Sequence, residues 1–263
     1  MLNSRSKIDY REVLIPKRLR TIKYILMIAS GKGGVGKSLV SATTALILAK
    51  NGLSVGLLDL DFHGPSSSVI YGGLEMPSEE EEGLVPPVVE GVKVMSIDQF
   101  VEGRPIPVSG REKREIIKEL LALTHWGETD VLVVDMPPET GDVLLTSLAY
   151  LRGRRGAILV TTPSKLSLKV VDRLIRLLDE TGVEILGIIE NMSRLKLMDK
   201  EVSPFGAEGA RDLASRYNIH FLGSLPIDPE ASLYADEGKP GKLTSTRFGL
   251  ELEKCLKKTI LLD

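Results

Sequence analysis

The chain has 263 residues, 43% of them hydrophobic and 27% charged, with a formal net charge of −2. That size suits one large α/β domain better than two small ones, and the near-neutral balance leaves no basic footprint for nucleic acid. The apolar runs fall far short of the roughly 18 residues that a membrane helix needs. The opening MLNSRSKIDYREVLIPKRLR lacks the apolar stretch of a secretory signal. One cysteine, Cys255, forbids an intramolecular disulfide and points to a reducing cytoplasm. The amide side chains Asn3, Asn51, Asn191, Asn218 and Gln99 are few beside 34 basic and 36 acidic residues, a balance typical of thermophiles.

In chain order, residues 1–22 form a locally basic segment, with Arg5, Lys7, Arg11, Lys17, Arg18 and Arg20 against Asp9 and Glu12. It reads as a solvated arm, an extra surface helix or a docking arm, ahead of one domain over 23–263. An apolar run at 24–29 predicts a strand, and a helical pattern occupies 37–50. Between them SGKGGVGKS (30–38) fits G-x-x-x-x-G-K-[ST] through Gly31, Gly36, Lys37 and Ser38. A glycine-rich turn from strand to helix exposes successive N–H groups to an anion, and the helix N-terminus adds partial positive charge. Lys37 is expected on the terminal phosphates and Ser38 on Mg2+. Lys32 is a second lysine. Because Lys37 already serves its own loop, Lys32 is expected to reach the nucleotide of a facing subunit and neutralise charge developing there. The alternative is a solvated loop lysine.

The strand predicted at 54–60 ends in LLDLDFHGPS, where Asp59 and Asp61 are placed to hold a metal-bound water or orient the attacking water. His63 follows in the same switch. Residues 75–91 read as an acidic, proline-bearing loop. A strand at 92–97 and a helix at 111–123 lead to VLVVD (131–135), whose Asp135 is expected to hold Mg2+ through water. MPPETGD then reads as the switch sensing the γ-phosphate. Helices at 142–151, 166–180, 207–217 and 247–261 alternate with strands at 157–162, 184–189 and 220–225, and 193–205 reads as a polar connection. Strand–helix alternation with nearly continuous apolar strands predicts a parallel sheet covered on both faces. No NKxD motif disfavours GTP; the Asn191 amide and Pro226 suit the edge and face of adenine.

GKGGVGKS, DLDFHGPS, DMPPETGD, TTPSKLSLKVV, GIIENMS and LPIDP together resemble the Mrp/MinD branch of deviant Walker A ATPases, of the SIMIBI class. The resemblance implies a three-layer α/β/α P-loop NTPase with a mostly parallel seven- or eight-stranded sheet. It implies ATP or ADP with Mg2+, and a homodimer that forms with ATP and parts on hydrolysis. Lys32 becomes the cross-dimer lysine, Lys37 its partner in the own subunit, and Asp61 the residue positioning water. Ser38, Asp59 and Asp135 become the magnesium set. Gly33, Gly34, Val35, Gly36, Lys37, Ser38 and Leu39 become the phosphate loop, with Asn191, Pro226 and Asp228 toward the base.

Two departures bear on the role. The Mrp/NBP-type iron–sulfur carriers have a C-x-x-C shortly after ENMS, where this chain reads SRLKLMDKEVSPF. Glu139 stands where the family usually has glycine. DLDFHGPS, GLVPPVVEGVKVM, RPIPVSGRE and IIENM are similar to archaeal ATPase-type HypB proteins, which lack that cysteine pair. That likeness implies a metallochaperone ATPase for nickel insertion in [NiFe]-hydrogenase maturation, with a HypA-like protein or metalloenzyme client as partner. The alternatives are an iron–sulfur cluster carrier, or a MinD-like positioning ATPase whose C-terminal segment RFGLELEKCLKKTILLD lies on anionic lipid.

Overall fold

The structure, a computed structural model, describes residues 9–62, 64, 66–101, 109–138, 141–198, 200–206 and 209–262. His63 and Glu139 lie outside the described residues. The chain opens with α1 (Arg11–Leu19), β1 (Ile22–Ala29), α2 (Lys37–Lys50), β2 (Val55–Asp59) and the short α3 (Ser67–Ile70). A hairpin of β3 (Ser78–Glu80) and β4 (Gly83–Val85) precedes β5 (Val88–Val89), β6 (Val92–Ser96), α4 (Asp98–Val101), α5 (Gly110–Leu123) and β7 (Thr129–Asp135). Next come α6 (Asp142–Tyr150), β8 (Arg155–Thr161), α7 (Lys165–Glu180), the long β9 (Glu184–Leu197), β10 (Lys200–Val202) and α8 (Gly209–Arg216). The chain closes with β11 (Phe221–Ile227), α9 (Pro229–Asp236), α10 (Pro240–Leu243) and α11 (Arg247–Leu256).

The main sheet runs β10-β9-β8-β1-β7-β2-β6-β5, with β11 added to β9. Its pairs are parallel except β5 with β6 and β10 with β9. Successive side chains of a strand point to opposite faces, and here both faces are covered. Ile25, Met27, Leu132 and Val134 enter one core with α1, α5, α6, α7 and α8. Leu26, Ile28, Val131 and Val133 enter the other with α2, α9, α10 and α11. The result is the expected three-layer α/β/α sandwich.

Two segments expected to be irregular contain strands. Within 75–91, Ser78–Glu80 pairs antiparallel with Gly83–Val85. Within 193–205, β9 continues to Leu197 and turns back into β10. Both hairpins stand largely in solvent, so no apolar alternation marks them in the sequence. Residues 11–19 of the basic N-terminal segment form α1, with Ile15 and Leu19 buried against the domain. Arg11 bonds Asp9 at 2.8 Å and Glu115 of α5 at 2.6 Å, and Arg18 Nε donates to the Ala122 carbonyl at 3.1 Å. At the other end, α11 turns Phe248, Leu252, Cys255 and Leu256 inward. Its apolar face is therefore spent on the sheet. Among the described residues no helix is long and apolar enough to cross a membrane.

Candidate nucleotide site

Parallel register sets Asp59 of β2 beside Asp135 of β7, and Asp135 beside Ile28 of β1. Three strands thus end together, at the carboxyl edge where open α/β sheets hold ligands. From β1 the chain turns through the glycine loop into α2. Gly36 caps that helix in the left-handed conformation, φ 80°, and no side chain caps it. The first turn of α2 also carries no acidic residue, so its free N–H groups remain for an anion. Gly36 is glycine for two reasons: its φ suits no other residue well, and a Cβ there would run into Asn191 Nδ2.

The Lys37 ammonium lies 2.6 Å from Asp135 Oδ1 and 3.6 Å from Asp61 Oδ2. Burial works against its charge, but Asp135 and Asp61 outweigh that and hold its pKa above the ordinary value. Ser41, one helical turn beyond Lys37, donates to the same Asp135 Oδ1 at 2.8 Å. Asp59 Oδ1 accepts the Asp61 N–H at 3.0 Å, and its Oδ2 accepts the Ser67 N–H at 3.2 Å. This carboxylate therefore straps both ends of the loop that carries Asp61. Burial, with Asp135 beside it, pushes the Asp59 carboxyl up to about 7.

Asp135 Oδ2 is buried and accepts no hydrogen bond among the described residues. Such an atom is costly unless something completes it. Ser38 and Asp61 line the cleft itself while Asp135 and Asp59 lie buried behind Lys37, and these oxygens suit Mg2+, a hard cation that keeps several waters. Ser38 would hold the ion directly, and Asp135 would hold it through water. Asp59, whose two oxygens accept the Asp61 and Ser67 N–H groups, would reach it through a water. The ion would offset phosphate charge.

A cleft of about 620 Å³ opens over these groups. Lys32, Gly33, Gly34, Gly36, Lys37, Ser38, Leu39 and Asp61 line it; Val35 is buried beneath the loop, in the core. Lys32 is half-buried at the cleft, and no described carboxylate pairs with it. Ser232 and Asp236 of α9 form part of the wall. Sequence reasoning missed that helix, although Asp228 at its N-cap and Pro229 at its first position are start signals.

The residues assigned to the base lie outside this lining. Asn191 Nδ2 donates to the Val35 carbonyl at 2.8 Å, and Asn191 Oδ1 accepts the Met192 N–H at 2.9 Å. Pro226 is buried within β11, in register with Arg194. The Asp228 carboxylate takes the N–H groups of Glu230, Ala231 and Phe248 at 3.1, 3.4 and 2.8 Å. Asn191 therefore props the phosphate loop in this state. Asn191→Ala should weaken ATP, ADP and GTP alike by about fivefold, the worth of one neutral hydrogen bond. Competition titrations check this; a selective loss of ATP over GTP would place the amide on adenine instead.

A family model described as NUBPL iron-transfer P-loop NTPase, of the ParA type, matches residues 21–259. The iron–sulfur cluster carrier protein of Mycobacterium tuberculosis is 37% identical over 255 residues, covering 93% of this chain and 67% of that protein. The carrier of Methanococcus maripaludis is 32% identical, covering 96% of this chain and 89% of its own length. Among solved structures, the nucleotide-binding protein of Archaeoglobus fulgidus in complex with ADP superposes with a TM-score of 0.78 at 35% identity, covering 88% of this chain and 93% of that one. The septum site-determining protein MinD of Pyrococcus horikoshii, complexed with Mg-ADP, gives 0.64 at 22% identity, with 88% and 93% covered, and shows the shared fold.

These relatives overturn one expectation. Nickel insertion for hydrogenase maturation, with a HypA-like partner, rested on motifs shared with HypB proteins and on the missing C-x-x-C. These two relatives, matched over most of the chain, are iron–sulfur cluster carriers, so the motifs shared with HypB proteins report the nucleotide site and not the metal. Over residues 21–259 the chain belongs to the iron-transfer P-loop NTPases of the ParA type.

Proposed function

We propose that this chain is an ATP-hydrolysing, Mg2+-dependent dimerisation switch that serves iron–sulfur cluster transfer. The observation that carries the switch is the buried set of Lys37, Asp135, Asp59 and Asp61 under the glycine loop. A related protein crystallised with ADP and a fold neighbour with Mg-ADP support ATP, ADP and Mg2+ as its ligands. Within the reading, Lys37 holds phosphate in its own subunit, Lys32 reaches across the dimer, and Asp61 orients water. The names of the relatives support the cluster as cargo.

The residues present do not form a cluster cage of their own. Cys255 is the one cysteine of the 263 residues, and it is buried on α11 with its thiol pushed up to about 11 by burial. Two copies would bring two thiols, where a [4Fe–4S] cluster usually takes four. Among the described residues no group of three His, Cys, Asp or Glu is arranged for a metal ion. The thiolates around the cargo are therefore assigned to a partner.

Anaerobic transfer from a cluster-loaded donor protein to an apo iron–sulfur enzyme tests the reading. Added chain with Mg-ATP should speed recovery of the acceptor's activity, whereas chain with ADP should not. An unchanged rate with ATP would remove the cluster from the proposal, even if ATP is hydrolysed.

A further inference from the structure

Lys37 and Ser41 sit four residues apart on α2, so both side chains lie on one face of the helix. That face meets the end of β7. The Lys37 ammonium and the Ser41 hydroxyl converge on one oxygen, Asp135 Oδ1, at 2.6 and 2.8 Å. Ser41 is 1% exposed and Asp135 fully buried. The second oxygen, Oδ2, accepts no hydrogen bond among the described residues. The serine proton has one other outlet, the Lys37 carbonyl at 3.0 Å. The charged carboxylate is the stronger acceptor.

A carboxylate held at one oxygen by a single donor still turns about its last torsion, which is soft and roughly two-fold. Two donors on Oδ1 fix the plane and with it the direction of Oδ2. Resting on the switch reading above, Lys37 has a second task, because its ammonium must also face the phosphates. Ser41 has no such competing role. We propose that Ser41 is a positioning residue: it keeps Asp135 Oδ1 anchored when Lys37 turns to nucleotide, so that Oδ2 stays aimed for a magnesium-bound water. Ser41 lies outside G-x-x-x-x-G-K-[ST], and its role depends on β7 arriving beside the second turn of α2.

The test is calorimetric titration of ADP into the full chain, with Mg2+ and with EDTA, for wild type, Ser41→Ala and Ser41→Thr. Wild-type protein should bind ADP more tightly with Mg2+. Ser41→Ala should lose about tenfold in the Mg2+ titration and stay within about twofold in EDTA, the loss of one charge-assisted hydrogen bond. Ser41→Thr keeps the hydroxyl and should restore the Mg2+ effect. Full Mg2+ tightening in Ser41→Ala would overturn the inference, as would equal weakening with and without Mg2+, which marks a merely structural serine. Wild-type protein that binds ADP equally with and without Mg2+ would overturn the switch reading, and this inference with it. Thermal melts of the three apo proteins confirm that each variant is folded.

Discussion

Lys37→Ala should lose nucleotide binding by at least about a hundredfold and also unfold more easily before any ligand is added. The first effect follows from removing the cation beneath the glycine loop. The second follows from what Lys37 already neutralises. Asp135 and Asp59 are fully buried, and Asp61 is nearly so. The lysine lies within 2.6 Å of one of these carboxylates and 3.6 Å of another. Taking it away leaves buried carboxylates facing one another with no countercharge, a change that typically costs about 3–5 kcal/mol. Denaturant unfolding of the apo proteins measures this directly. A variant as stable as wild type would mean that the carboxylates are neutralised by protons or screened by water, and that Lys37 is not what holds the apo site together. Asp135→Asn should behave differently. It keeps the shape and removes one of the crowded charges, so apo stability should fall less while Mg2+ coupling is lost.

The same contrast explains what was legible in the sequence. The strands at 24–29, 131–135 and 157–162 were readable because a strand buried on both faces is a continuous apolar run. The phosphate loop was readable because its backbone path demands glycine at fixed places; Gly34 and Gly36 do take positive φ, 76° and 80°. Asp59 and Asp135 could be paired as strand-end acids, since parallel register brings such ends together. What stayed hidden depends on tertiary approach. Ser41 looks like any small helical residue until β7 lies beside it. Asn191 and Asp228 were assigned to the base from side-chain chemistry and the family resemblance, neither of which shows their local partners. In the structure their polar atoms meet the Val35 carbonyl and the start of α9. The β3–β4 and β9–β10 hairpins stand in solvent and leave no period to read. The cargo was misread for a related reason: motifs around a phosphate site constrain the nucleotide and leave the client free.

The division of labour between the two loop lysines has a decisive test in mixed dimers. Lys32→Ala should still bind ATP, because Lys37 and the loop N–H groups remain, yet hydrolyse it about a thousandfold or more slowly, as when an arginine finger is lost. Asp61→Ala should also bind ATP and hydrolyse slowly, for want of the group that orients water. Each variant alone is therefore nearly inactive. In a mixed dimer, the site on the Lys32→Ala subunit keeps its own Asp61 and receives Lys32 from the other chain, so it is whole. The other site lacks both. Random pairing of equal amounts then returns about a quarter of wild-type turnover, because half the dimers are mixed and each has one working site. If Lys32 acted within its own subunit, every site in the mixture would lack one group, and mixing would restore nothing. Steady-state phosphate release from the two variants, measured apart and together, separates these outcomes. Recovery on mixing would also show that two chains share the nucleotide cleft, which Lys32, half-buried at the cleft and paired with no carboxylate among the described residues, leads one to expect.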